Sequence, residues 1–165
     1  MKIVDNFLSP SQFEKIQSIM MGTQFPWYFN NSMDNRGDER YQFTHTFYRF
    51  ERKESSYLYP TIHDCLRELR PKKLYRIKSN LNPQSPSHER GDYHRDFFKR
   101  KHGFDCTTSI LYINTNNGWT QFKNGDKVDC VENRMVIFDS NQEHQGVSCT
   151  DQKRKVVINF NYEVQ

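Results

Sequence analysis

Two histidines and one aspartate are the residues of this sequence whose types and spacing could bind a metal ion. His94 and Asp96 stand two positions apart in Tyr93-His94-Arg95-Asp96, and side chains two apart in a strand point to the same face. They can therefore present an imidazole and a carboxylate side by side. His144, shortly after the apolar run Val136-Ile137-Phe138, offers a third donor. Because two histidines and one carboxylate leave adjacent coordination positions open, we predict a mononuclear metal site.

A pair of cations opens the last predicted strand. Arg154 and Lys155 precede Val156-Val157-Ile158-Asn159-Phe160-Asn161. A cation there suits a cosubstrate with two carboxylates, because one carboxylate would bind the metal while the other pairs with the buried charge. Strand alternation puts the two cations on opposite faces, so only one of them can point towards the metal. The alternative is a solvated pair at the start of a strand.

Several predicted elements must position these residues. The N-cap, proline and capping-box glutamine of Ser9-Pro10-Ser11-Gln12 predict a helix to about Met21. Helical spacing of apolar residues predicts a second helix from Leu58 to Leu69, ended by Pro71. Strand-like runs occur at 27–29, 41–47, 75–81, 108–114, 119–123, 127–131, 135–138 and 155–162. We therefore expect an N-terminal helical part that supports a C-terminal all-β part, with loops at 23–40, 82–91 and 98–105.

Composition and charge restrict the class of protein. The 165-residue chain has no alanine and 15% aromatic residues, so its core must use large rings with Ile, Leu and Val, which suits strands. The net charge of +4 favours an anionic partner without requiring nucleic acid. Without an apolar run of membrane-spanning length or an N-terminal signal core, we expect a cytoplasmic protein that does not enter a membrane. We expect reduced core thiols at the four cysteines, which form no C-x-x-C pair: Cys65, Cys106, Cys130 and Cys149.

A series of motifs in fixed order carries a family resemblance. It consists of Arg76-Ile77-Lys78-Ser79-Asn80-Leu81, His94-Arg95-Asp96, Leu111-Tyr112-Ile113-Asn114, Asn117-Gly118-Trp119-Thr120-Gln121-Phe122, Phe138-Asp139-Ser140-Asn141 leading to His144, and Lys155 to Tyr162. With these motifs the chain from Leu74 to Tyr162 resembles the Fe(II)/2-oxoglutarate-dependent dioxygenases, nearest to their prolyl-hydroxylase-like branch and to small phage-type members.

The resemblance implies a fold, a domain organisation and an activity. The fold is α+β but mainly β, with a double-stranded β-helix core of the jelly-roll or cupin-like kind and supporting N-terminal helices. We expect a single oxygenase domain over residues 1–165, with 1–71 as a helical and strand support region and 72–165 as the jelly-roll core with the metal site. The implied activity is hydroxylation that uses Fe(II), 2-oxoglutarate as cosubstrate and O₂, with a protein prolyl residue among the candidate substrates.

The resemblance also assigns roles to individual residues. It makes His94, Asp96 and His144 the metal ligands. It places three polar residues at or beside 2-oxoglutarate: Asn80, Tyr112 and Thr120. For the distal carboxylate it favours Lys155 over Arg154, because family members carry a cation followed at even spacing by polar residues.

Alternative functions use the same residues differently. Zinc could bind the same three ligands in a hydrolase, which would not need the cation at Lys155. A cupin-like metal enzyme shares the barrel and would not use 2-oxoglutarate. His94-Arg95-Asp96 also matches a kinase catalytic triplet, but Lys101 stands where a kinase needs asparagine. A nucleic-acid-binding or nucleic-acid-modifying protein could be built on Lys99-Arg100-Lys101-His102. The substrate class thus stays open among peptide or protein, amino acid and nucleic acid.

The basic segment Phe98-Lys99-Arg100-Lys101-His102 follows Asp96 closely and therefore starts beside the predicted metal site. We hypothesise that its Lys and Arg side chains help to dock an anionic substrate through a salt-screened field without taking part in oxidation. A solvated loop is the alternative.

Overall fold

The computed structural model describes residues 1–33, 40–96 and 105–164. Within these ranges the chain forms two α-helices, one π-helical turn and a set of strands. In chain order they are β1 (Lys2–Val4), α1 (Pro10–Met21), β2 (Tyr28–Asn30), β3 (Gln42–Arg49), β4 (Arg52–Lys53), the π-helical turn (Leu58–Ile62), α2 (His63–Leu69), β5 (Lys73–Pro83), β6 (Thr107–Tyr112), β7 (Trp119–Phe122), β8 (Lys127–Asp129), β9 (Met135–Asp139), β10 (His144–Val147) and β11 (Arg154–Glu163).

The described strands form two antiparallel sheets. The large sheet has the order β1-β9-β6-β11-β5-β3-β2, with β4 paired to β3, and the small sheet has the order β10-β7-β8. Buried residues of β6, β9 and β11 pack with Phe122 and Val128 of the small sheet in one apolar cluster, so the two sheets lie face to face. This is the predicted α+β, mainly β architecture with a double-stranded β-helix core.

The helices cover the other face of the large sheet. Helix α1 begins with the predicted capping box, in which the Ser9 backbone N–H donates to Gln12 Oε1 at 3.1 Å. Its buried side chains Phe13, Ile16 and Met20 join an apolar cluster with residues from β3, β5, β6, β9 and β11. The helix is therefore held by its amphipathic face, as its sequence pattern predicts.

Alternation along the central strands decides which residues reach the space between the sheets. On β6, Ile110 lies in the cluster between the sheets whereas Leu111 faces the helices. On β11, Val157 lies between the sheets whereas Val156 faces the helices. Along each of these strands, successive side chains therefore point alternately into the space between the sheets and towards the helices. Polar residues at the inward-pointing positions must face the same interior space.

Three features of the fold differ from the expectations. The second predicted helix starts with the π-helical turn and becomes an α-helix at His63, since Pro60 lacks a backbone N–H and disturbs regular α-helical bonding. The N-terminal support region is not separate from the β core, because its strands join the large sheet, where β3 pairs directly with β5. Three strands were not predicted, because they are too short to show alternation: β1, β4 and β10.

Other expectations concern the interior and the loops. The four cysteines are free and buried. His45 is also buried, with Pro26 O and Ser55 Oγ each 2.7 Å from a ring nitrogen. The predicted loop at 82–91 starts later than expected, because β5 continues to Pro83, and it is tied to residues 146–153 by backbone hydrogen bonds. The predicted loops 23–40 and 98–105 lie partly outside the described residues.

Among the residues that the structure describes, no helix is both long and apolar enough to cross a membrane.

Candidate metal centre

The two candidate histidine ligands are held opposite each other by the backbone. His94 and His144 form an isolated antiparallel bridge, in which each backbone N–H donates to the carbonyl of the other residue at 3.0 Å. Their ring centroids are 4.6 Å apart. Because both bonds join the same two residues, the spacing of the two imidazoles is fixed by the main chain.

Each imidazole is also oriented by a carbonyl two residues earlier. Nδ1 of His94 lies 3.1 Å from Asp92 O, and Nδ1 of His144 lies 3.1 Å from Gln142 O. A carbonyl only accepts, so Nδ1 carries a proton in both rings, and Nε2 is the nitrogen left to bind a metal. This arrangement is the one that metal-ligating histidines use, with the second nitrogen bonded to an outer acceptor.

Asp96 completes the cluster, but not through strand geometry. The chain forms no strand at 92–96; it makes the single bridge at His94 and then bends at Asp96. The strand-face argument is therefore wrong as a reason, although the side chains do converge. One ligand atom from each of His94, Asp96 and His144 lies within 4.8 Å of the others.

Asp96 is kept ionised by its surroundings. Its side chain is only 9% exposed, and burial alone would raise the pKa of the carboxyl group. The Arg76 guanidinium, the two imidazoles and the Asn161 amide outweigh burial and hold the pKa well below its ordinary value. The carboxylate is therefore available as an anionic ligand across the physiological pH range.

The cluster opens into a cavity of about 330 Å³ at one end of the space between the sheets. Apart from Ile110, Val157 and Met33, its walls are mainly polar. The lining residues are Met33, Gln42, Arg76, Lys78, Asn80, Asn82, Gly91, His94, Arg95, Asp96, Ile110, Thr120, His144, Gly146, Lys155, Val157 and Asn159. A second cavity of about 650 Å³ shares Met33 and Asn82 with the first and continues along Arg40, Tyr41, Pro83 to Pro86, Glu89, Arg90 and Ser148.

The two cations considered as partners for the distal carboxylate of the cosubstrate lie on opposite sides of β11. Lys155 lines the metal-site cavity and is 4% exposed, and its Nζ donates to Val147 O at 2.8 Å and to Trp119 O at 3.0 Å. Arg154 lies on the opposite side of β11, where its guanidinium donates to Met21 O at the end of α1. Of these two cations, Lys155 alone lines the cavity.

The three polar residues expected near the cosubstrate occupy different places. Asn80 and Thr120 line the cavity, whereas Tyr112 lies behind Thr120 and is fully buried. The Tyr112 hydroxyl donates to Thr120 Oγ1 at 2.7 Å, and burial raises the pKa of Tyr112, so it stays protonated. Because Thr120 Oγ1 accepts this bond, its own proton can be donated to an oxygen in the cavity.

Gly118 holds the strands around Lys155 close together, which gives a testable expectation. A Cβ at this position would lie 2.8 Å from both Val147 O and Asn116 Oδ1, and Val147 O is one of the acceptors of Lys155. We expect Gly118→Ala to destabilise the protein by about 1–3 kcal/mol, a cost typical of overpacking. Thermal unfolding measures this, with Gly146→Ala as the control, since a Cβ there meets nothing closer than Lys155 Nζ at 4.0 Å. Equal Tm values for the two variants would contradict the expectation.

Three residues of the site were missed by the sequence analysis. Arg76, Thr108 and Asn161 all donate hydrogen bonds to the Asp96 carboxylate. The alternation of polar Arg76, Lys78, Asn80 and Asn82 with Ile77, Ser79 and Leu81 was a signal for an inward polar face on β5. No comparable signal marks Thr108.

Two aromatic residues of the family motifs do not contribute to the cavity. Phe122 and Trp119 do not line it, and Phe122 packs between the sheets. The basic segment 98–102 lies outside the described residues. The docking hypothesis for that segment stays a prediction.

Comparison with solved structures places this fold among known oxygenases. A prolyl hydroxylase from Trichoplax adhaerens, in complex with a hypoxia inducible factor peptide fragment, superposes with a TM-score of 0.63 at 18% identity, over 98% of this chain and 83% of that chain. A Pseudomonas putida prolyl-4-hydroxylase gives 0.63 at 14% identity, over 99% and 92%. The viral collagen prolyl hydroxylase of Paramecium bursaria Chlorella virus-1, in its 2OG complex, gives 0.58 at 13% identity, over 99% and 96%.

No protein-family model and no curated protein matches the chain by sequence. The structural matches span nearly the whole chain at low identity, so they report on its fold. The chain has the double-stranded β-helix fold of the prolyl hydroxylases among the 2OG-Fe(II) oxygenases.

Proposed function

We propose that this protein is a non-haem Fe(II)- and 2-oxoglutarate-dependent oxygenase that hydroxylates its substrate. The observation that carries the proposal is the buried Lys155 ammonium in the same cavity as His94, Asp96 and His144. No carboxylate among the described residues pairs with it; it donates to two neutral carbonyls and also bonds to the thiol of Cys130, whose pKa is raised by burial. A buried ammonium without a counter-charge is costly, so an anionic ligand in this cavity would be strongly favoured.

The donor set fits Fe(II). Two imidazoles and one carboxylate converge within 4.8 Å, which leaves room in the coordination sphere for a chelating cosubstrate. Both imidazoles already have their Nδ1 protons bonded to carbonyls, so metal binding through Nε2 requires no change of tautomer. We therefore assign these three residues as the metal ligands.

Lys155 and Thr120 fit the cosubstrate. The ammonium would pair with the distal carboxylate of 2-oxoglutarate, and the Thr120 hydroxyl, which accepts from Tyr112, would donate to the same end of the molecule. Tyr112 then acts through Thr120, and Asn80 borders the cosubstrate from β5. Ile110 and Val157 supply apolar walls nearby, which limit water around the ion pair and strengthen it.

The chemistry follows from these placements. When bound, Fe(II) and 2-oxoglutarate supply the oxidation: O₂ is consumed, one oxygen atom enters a substrate C–H bond, and succinate and CO₂ leave. The protein contributes orientation. Asp96 stays ionised, the histidines stay fixed by their mutual bridge, and Lys155 would hold the cosubstrate by its distal carboxylate and so orient it in the cavity.

A peptide is the proposed substrate, with a prolyl residue as the first candidate. The relative from Trichoplax adhaerens was solved with a peptide fragment, and the Pseudomonas putida relative is a prolyl-4-hydroxylase. The second cavity, which adjoins the metal-site cavity at Met33 and Asn82, offers space for chain on one side of a reacting residue. This extended space supports a peptide over a free amino acid.

Succinate release tests the proposal. We expect the wild-type protein with Fe(II) and 2-oxoglutarate to release succinate slowly, and prolyl peptides to stimulate it several-fold over peptides with proline replaced. The His144→Ala variant serves as the inactive control. If oligonucleotides stimulated succinate release instead, the substrate would be a nucleic acid rather than a peptide. Metal binding without any 2-oxoglutarate consumption would favour a zinc hydrolase or a cupin-like enzyme.

A further inference from the structure

The candidate metal-binding carboxylate lies against a row of three side chains from three neighbouring strands. On the central strand β11, Asn161 pairs directly with Arg76 of β5 on one side and with Thr108 of β6 on the other. Side chains of directly opposed residues stand next to each other on one face of a sheet. The three side chains therefore lie side by side on the same face of the large sheet, and each directs a hydrogen-bond donor towards Asp96.

All three members of the row bond to the carboxylate. Arg76 Nη2 donates to Asp96 Oδ1 at 2.9 Å, while Thr108 Oγ1 and Asn161 Nδ2 donate to Oδ2 at 2.9 and 3.0 Å. The row is also bonded within itself, since Arg76 Nε donates to Asn161 Oδ1 at 2.8 Å and Asn161 Nδ2 lies 2.9 Å from Thr108 Oγ1. Asn161 and Thr108 are fully buried, so two of the three donors in this cradle of side chains are shielded from water.

The distribution of these bonds decides which oxygen can reach a metal. A carboxylate has about four acceptor positions, two on each oxygen. Thr108 and Asn161 use both positions of Oδ2. Oδ1 accepts from Arg76, and no other described residue donates to it, so one of its positions is left for a metal ion.

We propose that Arg76 is a positioning residue of the metal site, which holds Oδ1 of Asp96, the oxygen with an open acceptor position, in the direction that the metal needs. This inference rests on the metal site of the proposed function and adds a residue that positions one of its ligands. Without Arg76 the carboxylate would pivot about Oδ2, which Thr108 and Asn161 hold, and Oδ1 would lose its fixed direction.

An arginine is needed because two acceptors must be held at once. The planar guanidinium of Arg76 directs Nε to Asn161 and Nη2 to Asp96. A lysine would keep the positive charge but has one ammonium on a flexible chain, so it cannot reproduce this two-point geometry. Arg76→Lys therefore keeps the positive charge beside Asp96 but removes the two-point hydrogen bonding, so it tests the positioning role alone. Loss of an outer partner of a metal ligand typically weakens metal binding by about 10–100-fold.

Mn(II) titration, followed by the electron paramagnetic resonance signal of free Mn(II), tests the inference without any turnover. We expect Arg76→Lys to weaken binding by about 10–100-fold. The matched control is Arg134→Lys. Arg134 also donates two hydrogen bonds to a carboxylate, that of Asp5, at 2.6 and 3.0 Å, but it does not line the cavity. The control should bind Mn(II) like the wild type.

The absorption spectrum of the Co(II)-loaded protein adds a signature of coordination geometry. Arg76→Lys at saturating Co(II) should change the spectrum, and Thr108→Val should change it too, because a freed position on Oδ2 lets the carboxylate bind through both oxygens. If Arg76→Lys fails to fold, the Co(II) spectrum of Thr108→Val tests the inference instead. A wild type that binds no Mn(II) would refute the metal site itself. Wild-type affinity and spectrum in both variants would leave the metal site standing and overturn the inference.

Discussion

Alanine at His94, Asp96 or His144 is expected to abolish stoichiometric metal binding. The wild type should bind one Fe(II) or Mn(II) per chain, because each of these residues supplies one ligand atom to the cluster. Loss of an outer partner alone costs about 10–100-fold in metal affinity, so loss of a direct ligand should cost about a hundredfold or more. Metal analysis after gel filtration measures the content, and calorimetric titration measures the affinity.

A histidine outside the site controls for general effects of the substitution. The His63 side chain is 63% exposed, on helix α2, so His63→Ala should keep full metal content. The three site variants should also remain folded, which circular dichroism can verify. Unchanged metal content in all three would show that this cluster is not the metal site.

Asp96→Glu tests how tightly the carboxylate position is specified. The added methylene would carry the carboxylate past Arg76, Thr108 and Asn161, which hold it at 2.9–3.0 Å. We expect a loss of metal affinity close to that of Asp96→Ala, despite the conserved charge. Wild-type affinity in Asp96→Glu would mean that charge, rather than position, determines binding here.

The parts of this site that follow regular strand alternation could be predicted from the sequence. Strand β11 is ten residues long, and its alternation correctly separates Lys155, which faces the cavity, from Arg154, which reaches α1. The cluster of His94, Asp96 and His144 could be predicted from residue types and motif order. Its local geometry could not, because a bridge at His94 and a bend at Asp96 replace the expected strand.

The cradle around Asp96 could not be predicted, for a physical reason. Its members come from β5, β6 and β11, and they meet only because of the register between strands that are distant in sequence. Register depends on the packing of whole strands and on irregularities such as the bulge at Asn161/Tyr162. A polar residue such as Thr108 therefore shows its role only when its cross-strand partner is known.

Loss of the Lys155 charge is expected to raise the 2-oxoglutarate requirement by about 10- to 1,000-fold, because a buried carboxylate of the cosubstrate would lose its partner. That range corresponds to about 1.4–4 kcal/mol of binding free energy. Lys155→Met is the sharper variant, since it keeps most of the side-chain volume between Val147 and Trp119, whereas Lys155→Ala also opens space. Both should retain metal, because Lys155 bonds to none of the metal ligands.

The neighbouring cation provides the matched control for this effect. Arg154→Ala removes a positive charge one position away, but on the face of β11 that bonds to the end of α1. We therefore expect Arg154→Ala to lower thermal stability while changing the 2-oxoglutarate requirement much less than Lys155→Ala. The measurement is the KM for 2-oxoglutarate in uncoupled succinate release, together with 2-oxoglutarate binding to the Mn(II)-loaded protein. If Arg154→Ala raised this KM more than Lys155→Ala, the cosubstrate would approach from the other face of the strand, and the cavity around Lys155 would need another ligand.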